Sequence, residues 1–248
     1  MNGQVIRIFQ IFLLVGMVCC SSACIVLNQR VRAKHEVQLN NKRLETIPPE
    51  LLFDTSIIHL SLFNNRLTVL EGDLAQLKNL EVLYLGKNQF KSFPKVICKL
   101  KKLRVLSLQH NQIDSIPDCI CQLKSLERLL LNSNQLTYIS DSIAELFRLE
   151  YIDFSRNHIE QLPVDFGHLS ALSYLDLSFN NLVDLPASVD SLKSLRNLNL
   201  YYAGALMQVP ESLCKLRYLE TIKADPSVVF PMCVLSQKTN RLVIYVEP

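Results

Sequence analysis

The sequence predicts an α/β solenoid, with a curved parallel β-sheet on its concave side and short helices or 3₁₀ turns on its convex side. Two observations carry that expectation. Leu80, Leu103, Leu126, Leu149, Leu172 and Leu195 recur at a constant step of 23 residues (103 − 80 = 23), inside the range of coil lengths that stack into such arrays. Within each step the same apolar and polar slots return, as in Leu103, Leu106, Leu108, Asn111, Ile113, Ile116, Pro117, Ile120 and Leu123. Composition agrees, since 49% of the 248 residues are hydrophobic, with no Trp and 6 Gly. That supplies a continuous core in a chain that grows by adding units. About seven full repeats plus partial caps are expected.

Residues 1–27 stand apart from the repeat. Ile8 to Leu27 is an apolar run broken only by Gln10, Gly16 and the Ser21-Ser22 pair. One reading is a secretory signal, with Arg7 in its n-region, Ile11 to Val18 as the apolar stretch and a cleavage point after Ala23. The other is a retained anchor, since the run approaches the length a membrane helix needs. Arg30, Arg32 and Lys34 on its C-terminal side would then keep the remainder cytoplasmic. A buried N-terminal cap helix is a third. Membrane association through residues 8–27 therefore stays open. Residues 28–56 read as an N-terminal cap and partial repeat, 57–218 as repeats of 23–24 residues, and 219–248 as a last partial repeat and C-terminal cap.

Each slot has a physical reason. The Leu-x-Leu core is a period-2 strand that sends its Leu side chains inward and the residues between them outward. Asn65, Asn88, Asn111, Asn134, Asn157 and Asn180 fall in one column after the strands, where an amide satisfies turn backbone groups otherwise buried without partners. Pro94, Pro117, Pro163 and Pro186 open the return segment, where a fixed φ and a missing donor cost little. Apolar pairs such as Ile97/Leu100 and Phe166/Leu169 bury its inner side.

The pattern L-x-x-L-x-L-x-x-N-x-L-x-x-L-P resembles that of the leucine-rich-repeat superfamily, over roughly residues 35 to 235. More narrowly it is similar to intracellular Ras-pathway scaffolds and plant Ras-group-related repeat proteins. That resemblance implies a leucine-rich-repeat solenoid used for protein–protein interaction, with a small-GTPase or kinase signalling context. Asp225-Pro226 through Phe230-Pro231 resembles the close of that subgroup's last repeat, which implies that the array ends there. Several units depart from the pattern. Lys42 holds the Asn slot of the partial first unit, Glu71 and Ser140 replace Pro, and Ala203 takes the Asn slot in a unit one residue longer than the rest. A locally altered turn is expected over residues 201–205.

In such a fold the outward strand residues form the concave face. The expected centre of protein contact is Arg128, Tyr151, Asp153, Tyr174, Asp176 and Tyr201, since hot spots favour Tyr and Arg. Tyr84 and Phe63 form an outlying apolar patch. The alternative places binding on the convex side or an edge.

Asp153 and Asp176 share a column on adjacent strands, about 5 Å apart. On an open face they are expected to keep ordinary acidity, so they do not read as a catalytic pair. The five His are scattered and no nucleotide or hydrolase motif appears. An enzyme is not expected, nor a cofactor or metal. A net charge of +3 without a clustered basic face argues against nucleic acid.

Cys98 and Cys121 occupy one slot in adjacent coils, to which Cys214 returns. They either bridge or pack as small hydrophobes. No dense Cys cluster flanks the repeats and no Asn-x-Ser/Thr acceptor occurs, which leans towards a cytosolic face. The function read from the sequence is a protein-interaction scaffold. The alternatives are a secreted or surface-displayed recognition protein, or a regulator that inhibits an enzyme.

Overall fold

A computed structural model describes residues 35–205, 207–235 and 242–246. The signal or anchor expected at 1–27 lies outside them. Twelve short strands run in chain order: β1 (Glu36–Gln38), β2 (His59–Ser61), β3 (Val82–Tyr84), β4 (Val105–Ser107), β5 (Ser115–Ile116), β6 (Arg128–Leu130), β7 (Tyr138–Ile139), β8 (Tyr151–Asp153), β9 (Tyr174–Asp176), β10 (Asn197–Asn199), β11 (Thr221–Ala224) and β12 (Val243–Val246). Ten of them make one parallel sheet in the order β1-β2-β3-β4-β6-β8-β9-β10-β11-β12, while β5 and β7 pair separately.

The register is the sequence repeat made spatial. Leu60, Leu83, Leu106, Leu129, Ile152, Leu175, Leu198 and Ile222 face one another strand to strand and all are buried. The coils return through 3₁₀ segments, as at Lys95–Lys99, Asp118–Gln122 and Ala187–Ser191, except that a short α-helix, Met232–Leu235, stands between β11 and β12. Both return forms expected are therefore present, the tighter one in all the earlier coils. Pro94, Pro117, Pro186 and Pro210 immediately precede these turns. Where Ser140 replaces Pro, its Oγ accepts from the Ser142 N–H at 3.2 Å and donates to Asp118.

The expected Asn column is a ladder. Asn88 is typical: its Oδ1 accepts from Leu67 N–H at 3.0 Å, and its Nδ2 donates to Leu62 O and Leu85 O, each at 3.0 Å. The amide thus joins its own coil to the preceding one, as do those of Asn65, Asn111, Asn134, Asn157 and Asn180. All six are buried.

At Ala203 the expected altered turn is present and has a cause. Leu182 N–H, which stands where it would meet an Asn amide oxygen, donates instead to the backbone oxygen of Ala203 at 2.7 Å. That shift brings Gly204 so close to Leu182 that a Cβ would lie 1.8 Å from the Leu182 oxygen, so only glycine fits there. In the next coil Asp225 is buried and its carboxylate accepts from Tyr202 N–H and from Ser227 N–H, while Ser227 Oγ donates to Gly204 O. The array does not stop at Pro231 as the family resemblance implied, because β12 extends the sheet by one more strand.

The cysteine pairing differs from expectation. Cys98 bridges Cys119, with Cα atoms 5.8 Å apart, and Cys214 bridges Cys233; Cys121 is free. Residues in one slot of successive coils project in the same direction and so do not converge. The residue 21 positions on (119 − 98 = 21) is the one that meets its predecessor. The same offset joins Gly167 N–H to Ser188 Oγ at 3.1 Å three coils later.

Three outcomes are expected. Asn134→Ala strips partners from Ile113 N–H, Leu108 O and Leu131 O and should lower stability by about 2–4 kcal/mol, read as a lower urea midpoint at unchanged slope. Phe154→Asp, which buries an unpaired carboxylate, should unfold several coils together, visible as a loss of far-UV circular dichroism. Third, a non-reducing peptide map should link Cys98 to Cys119 and leave Cys121 open to alkylation. A Cys98–Cys121 link would restore pairing within one slot.

Candidate recognition face

The concave face is built from the outward residues of each strand, aligned in columns by the register. Arg128, Tyr151 and Tyr174 form one column, and Leu130, Asp153, Asp176, Asn199 and Lys223 the next. Parallel strands about 5 Å apart hold equivalent side chains at stacking distance. Tyr151 and Tyr174 accordingly lie face to face, centroids 4.4 Å apart and 2° from parallel. The Arg128 guanidinium covers Tyr151 at 4.6 Å from its centroid, a cation–π contact. Both tyrosines are half-buried, and burial pushes both hydroxyls above their ordinary range.

The two aspartates stand beside that stack. Asp153 accepts from Ser155 Oγ at 2.6 Å and Ser155 N–H at 3.1 Å. Asp176 accepts from Ser178 Oγ at 2.6 Å, Ser178 N–H at 2.9 Å and Asn199 Nδ2 at 2.9 Å, with Tyr174 OH at 3.3 Å. The open face was expected to leave both well solvated. Instead Asp176 is buried and Asp153 is half-buried, and burial raises the Asp153 carboxyl despite the hydrogen bonds from Ser155. The flanking tyrosines and serines remove water that a bare strand would admit. Among the described residues no group of three or more His, Cys, Asp or Glu could hold a metal ion.

Of the predicted contact residues, Arg128, Tyr151, Asp153, Tyr174, Asp176 and Tyr201 fall on adjacent strands or the turn that follows them. Tyr201 also meets residues the sequence reading passed over. Its ring lies 4.6 Å from Tyr202 and 5.6 Å from Phe179, and the Arg156 guanidinium sits 4.3 Å over Phe179. Arg156, Phe179 and Tyr202 occupy one recurring turn position with φ of 56°, 54° and 50°, shared by Asn64, Lys87, His110 and Ser133. Bulky aromatics rarely adopt this conformation, and both are exposed. The signal was available, since each immediately precedes an Asn-slot residue.

Phe63 and Tyr84 lie elsewhere, lining a depression of about 490 Å³ near the N-terminal end with His59, Val82, Ser107 and Gln109. Gly86 makes room there, because a Cβ on it would lie 2.8 Å from Gln109 Cγ and 3.1 Å from the Phe63 ring.

Comparison with known proteins bears on the family. Family profiles described as leucine-rich repeats match residues 55–98, 79–136 and 132–236, the last as a leucine-rich repeat region. No curated protein matches at a significant level. Among solved structures, a leucine-rich-repeat protein of Leptospira interrogans is 32% identical with TM-score 0.76, over 85% of this chain and 54% of that one. The ectodomain of the Arabidopsis thaliana receptor kinase GASSHO1/SCHENGEN3, solved with CASPARIAN STRIP INTEGRITY FACTOR 2, is 29% identical with TM-score 0.69, over 86% of this chain and 26% of that one. An internalin of Listeria monocytogenes shares the fold at 17% identity and TM-score 0.72, over 86% of this chain and 61% of that one. This chain thus spans about half of the Leptospira protein and about a quarter of the receptor ectodomain. With the coil, the Asn ladder and the profile matches in agreement, the chain belongs to the leucine-rich-repeat superfamily.

Proposed function

We propose that the chain is a protein-recognition module that docks a protein partner on its concave face, centred on Tyr151, Tyr174, Asp153, Asp176 and Tyr201. The observation that carries this reading is the Tyr151–Tyr174 stack beside two partly desolvated carboxylates. Rigid aromatic area flanked by fixed polar groups is the composition of interface hot spots. The receptor ectodomain similar to this chain was solved in complex with CASPARIAN STRIP INTEGRITY FACTOR 2, which supports a recognition role for the shared fold. Photo-crosslinking tests it: a benzoylphenylalanine at position 174 should trap a discrete partner, whereas one at the convex Lys95 should not. The reverse result would move the contact to the convex side.

The two disulfides favour an oxidising compartment, and with it the reading of residues 1–27 as a secretory signal or an outward-facing anchor. A cytoplasmic scaffold in small-GTPase signalling, implied by the narrower family resemblance, would keep these cysteines reduced. Protease protection on microsomes, with alkaline extraction of a C-terminally tagged chain, separates the two. A protected chain supports the oxidising compartment, and a protease-accessible one supports the scaffold.

Two variants separate binding from folding. Tyr174→Ala should leave Tm nearly unchanged while weakening partner binding; a large fall in Tm would instead make Tyr174 part of the core. Asp153→Asn should be more stable than the parent at neutral pH. The parent's folded carboxyl sits above its unfolded value because burial penalises the charge, so that penalty is present at neutral pH and is relieved as pH falls through the raised value. The difference in Tm should therefore narrow on acidification, and a constant difference would exclude titration of Asp153 as its source.

A further inference from the structure

On the concave-face reading above, the charge of the site still has to be matched. Asp153 and Asp176 occupy one column of adjacent strands, and among the described residues no ion pair reaches either carboxylate. Their partners are hydroxyls, N–H groups and one amide, all neutral donors. Of the basic side chains around them, Arg128 is committed to the ring of Tyr151, and His110 acts on Asp153 only through space. Lys223 stands two strands beyond Asp176 in the same column.

A second observation points to a missing donor. Asn132 follows Leu130, the strand partner of Asp153, by two residues, and so stands beside Ser155, whose hydroxyl holds Asp153. Its Oδ1 is closed off from solvent with no hydrogen-bond partner among the described residues. An acceptor in that state is costly, and two side-by-side carboxylates out of bulk water repel each other. A donor-rich cation relieves that repulsion. The Arg128–Tyr151 contact shows one ring of the stack accepting a guanidinium on this face. The surface is an open sheet rather than an enclosed cavity, so the cation has to arrive on a larger molecule that supplies the remaining contact area.

We propose that the partner segment docked on this face presents an arginine or lysine side chain that ion-pairs with Asp153 and Asp176, its stem lying along the Tyr151–Tyr174 stack. Such a pair is made between groups already held by neutral donors on rigid strands, so little ordering is lost on binding. It also gives the face specificity, because a neutral or acidic residue at that point of the partner would leave the carboxylates uncompensated.

The test is selection from a random dodecapeptide display library on the folded chain, run in parallel with Asp153→Asn/Asp176→Asn and with Tyr174→Ala. Asparagine keeps the shape and can keep the Ser155 and Ser178 hydrogen bonds, while Asp176→Asn gives up the Asn199 and Tyr174 donors; a parental circular dichroism spectrum and a cooperative melt certify the fold. Peptides enriched on the parent should share a Lys or Arg, should lose about tenfold or more in affinity on the double variant, and should weaken to the same degree when that Lys or Arg is replaced by Gln. Enriched peptides that need Tyr174 but carry no recurring cation, or keep their affinity on the double variant, overturn the cation pairing and leave the concave-face reading standing. Peptides that bind all three chains equally overturn both.

Discussion

The side-chain amide of the recurring Asn is the interaction on which the rest of the molecule depends. Each coil must turn from strand to return segment inside a packed core, which strands backbone N–H and C=O groups away from water. An amide carries both an acceptor and two donors on one planar group. It can therefore take an N–H from the preceding coil while giving hydrogen atoms to carbonyls of two coils, as Asn134 does with Ile113, Leu108 and Leu131. Asp could not donate, and Ser could not span the gap. The ladder locks coil to coil at constant register, and constant register makes columns.

Those columns turn a repeat into a surface. Because Tyr151 faces Tyr174 and Asp153 faces Asp176 without slippage, chemistry that is four residues in the sequence becomes one stack and one pair in space. The price of regularity is uniformity, so recognition has to come from residues that break the consensus. The breaks concentrate between residues 151 and 205, where aromatics enter the left-handed turn position at Phe179 and Tyr202 and Ala203 leaves the Asn slot in the one longer coil.

What was legible in the sequence is what repeats. The inward Leu positions, the Asn column and the place of Pro before the return turn all follow from period and spacing, and each occupies its expected place. What was not legible depends on local direction or on neighbours. Cys98 and Cys121 share a slot, yet a 3₁₀ turn points equivalent residues the same way and presents Cys119 to Cys98 instead. The burial of Asp153 and Asp176 was missed because a column treated as isolated looks solvated, whereas tyrosines on one side and serines on the other close it. Arg156, Phe179 and Tyr202 do not follow from strand alternation, because they stand in the turn beyond it where the backbone enters the left-handed region.

The Ala203 coil ties these points together. Losing the amide there would orphan Leu182 N–H, and the chain answers by swinging the Ala203 carbonyl into its place, which forces Gly204 against Leu182. Tyr201 and Tyr202 immediately precede that swing, with Tyr202 N–H held by Asp225 from the following coil. The aromatic corner beside the carboxylates is thus fixed from both sides by backbone rather than by packing into the core. A missing rung in the ladder, which by itself would weaken the solenoid, is converted into a rigid edge next to the site that a partner would meet.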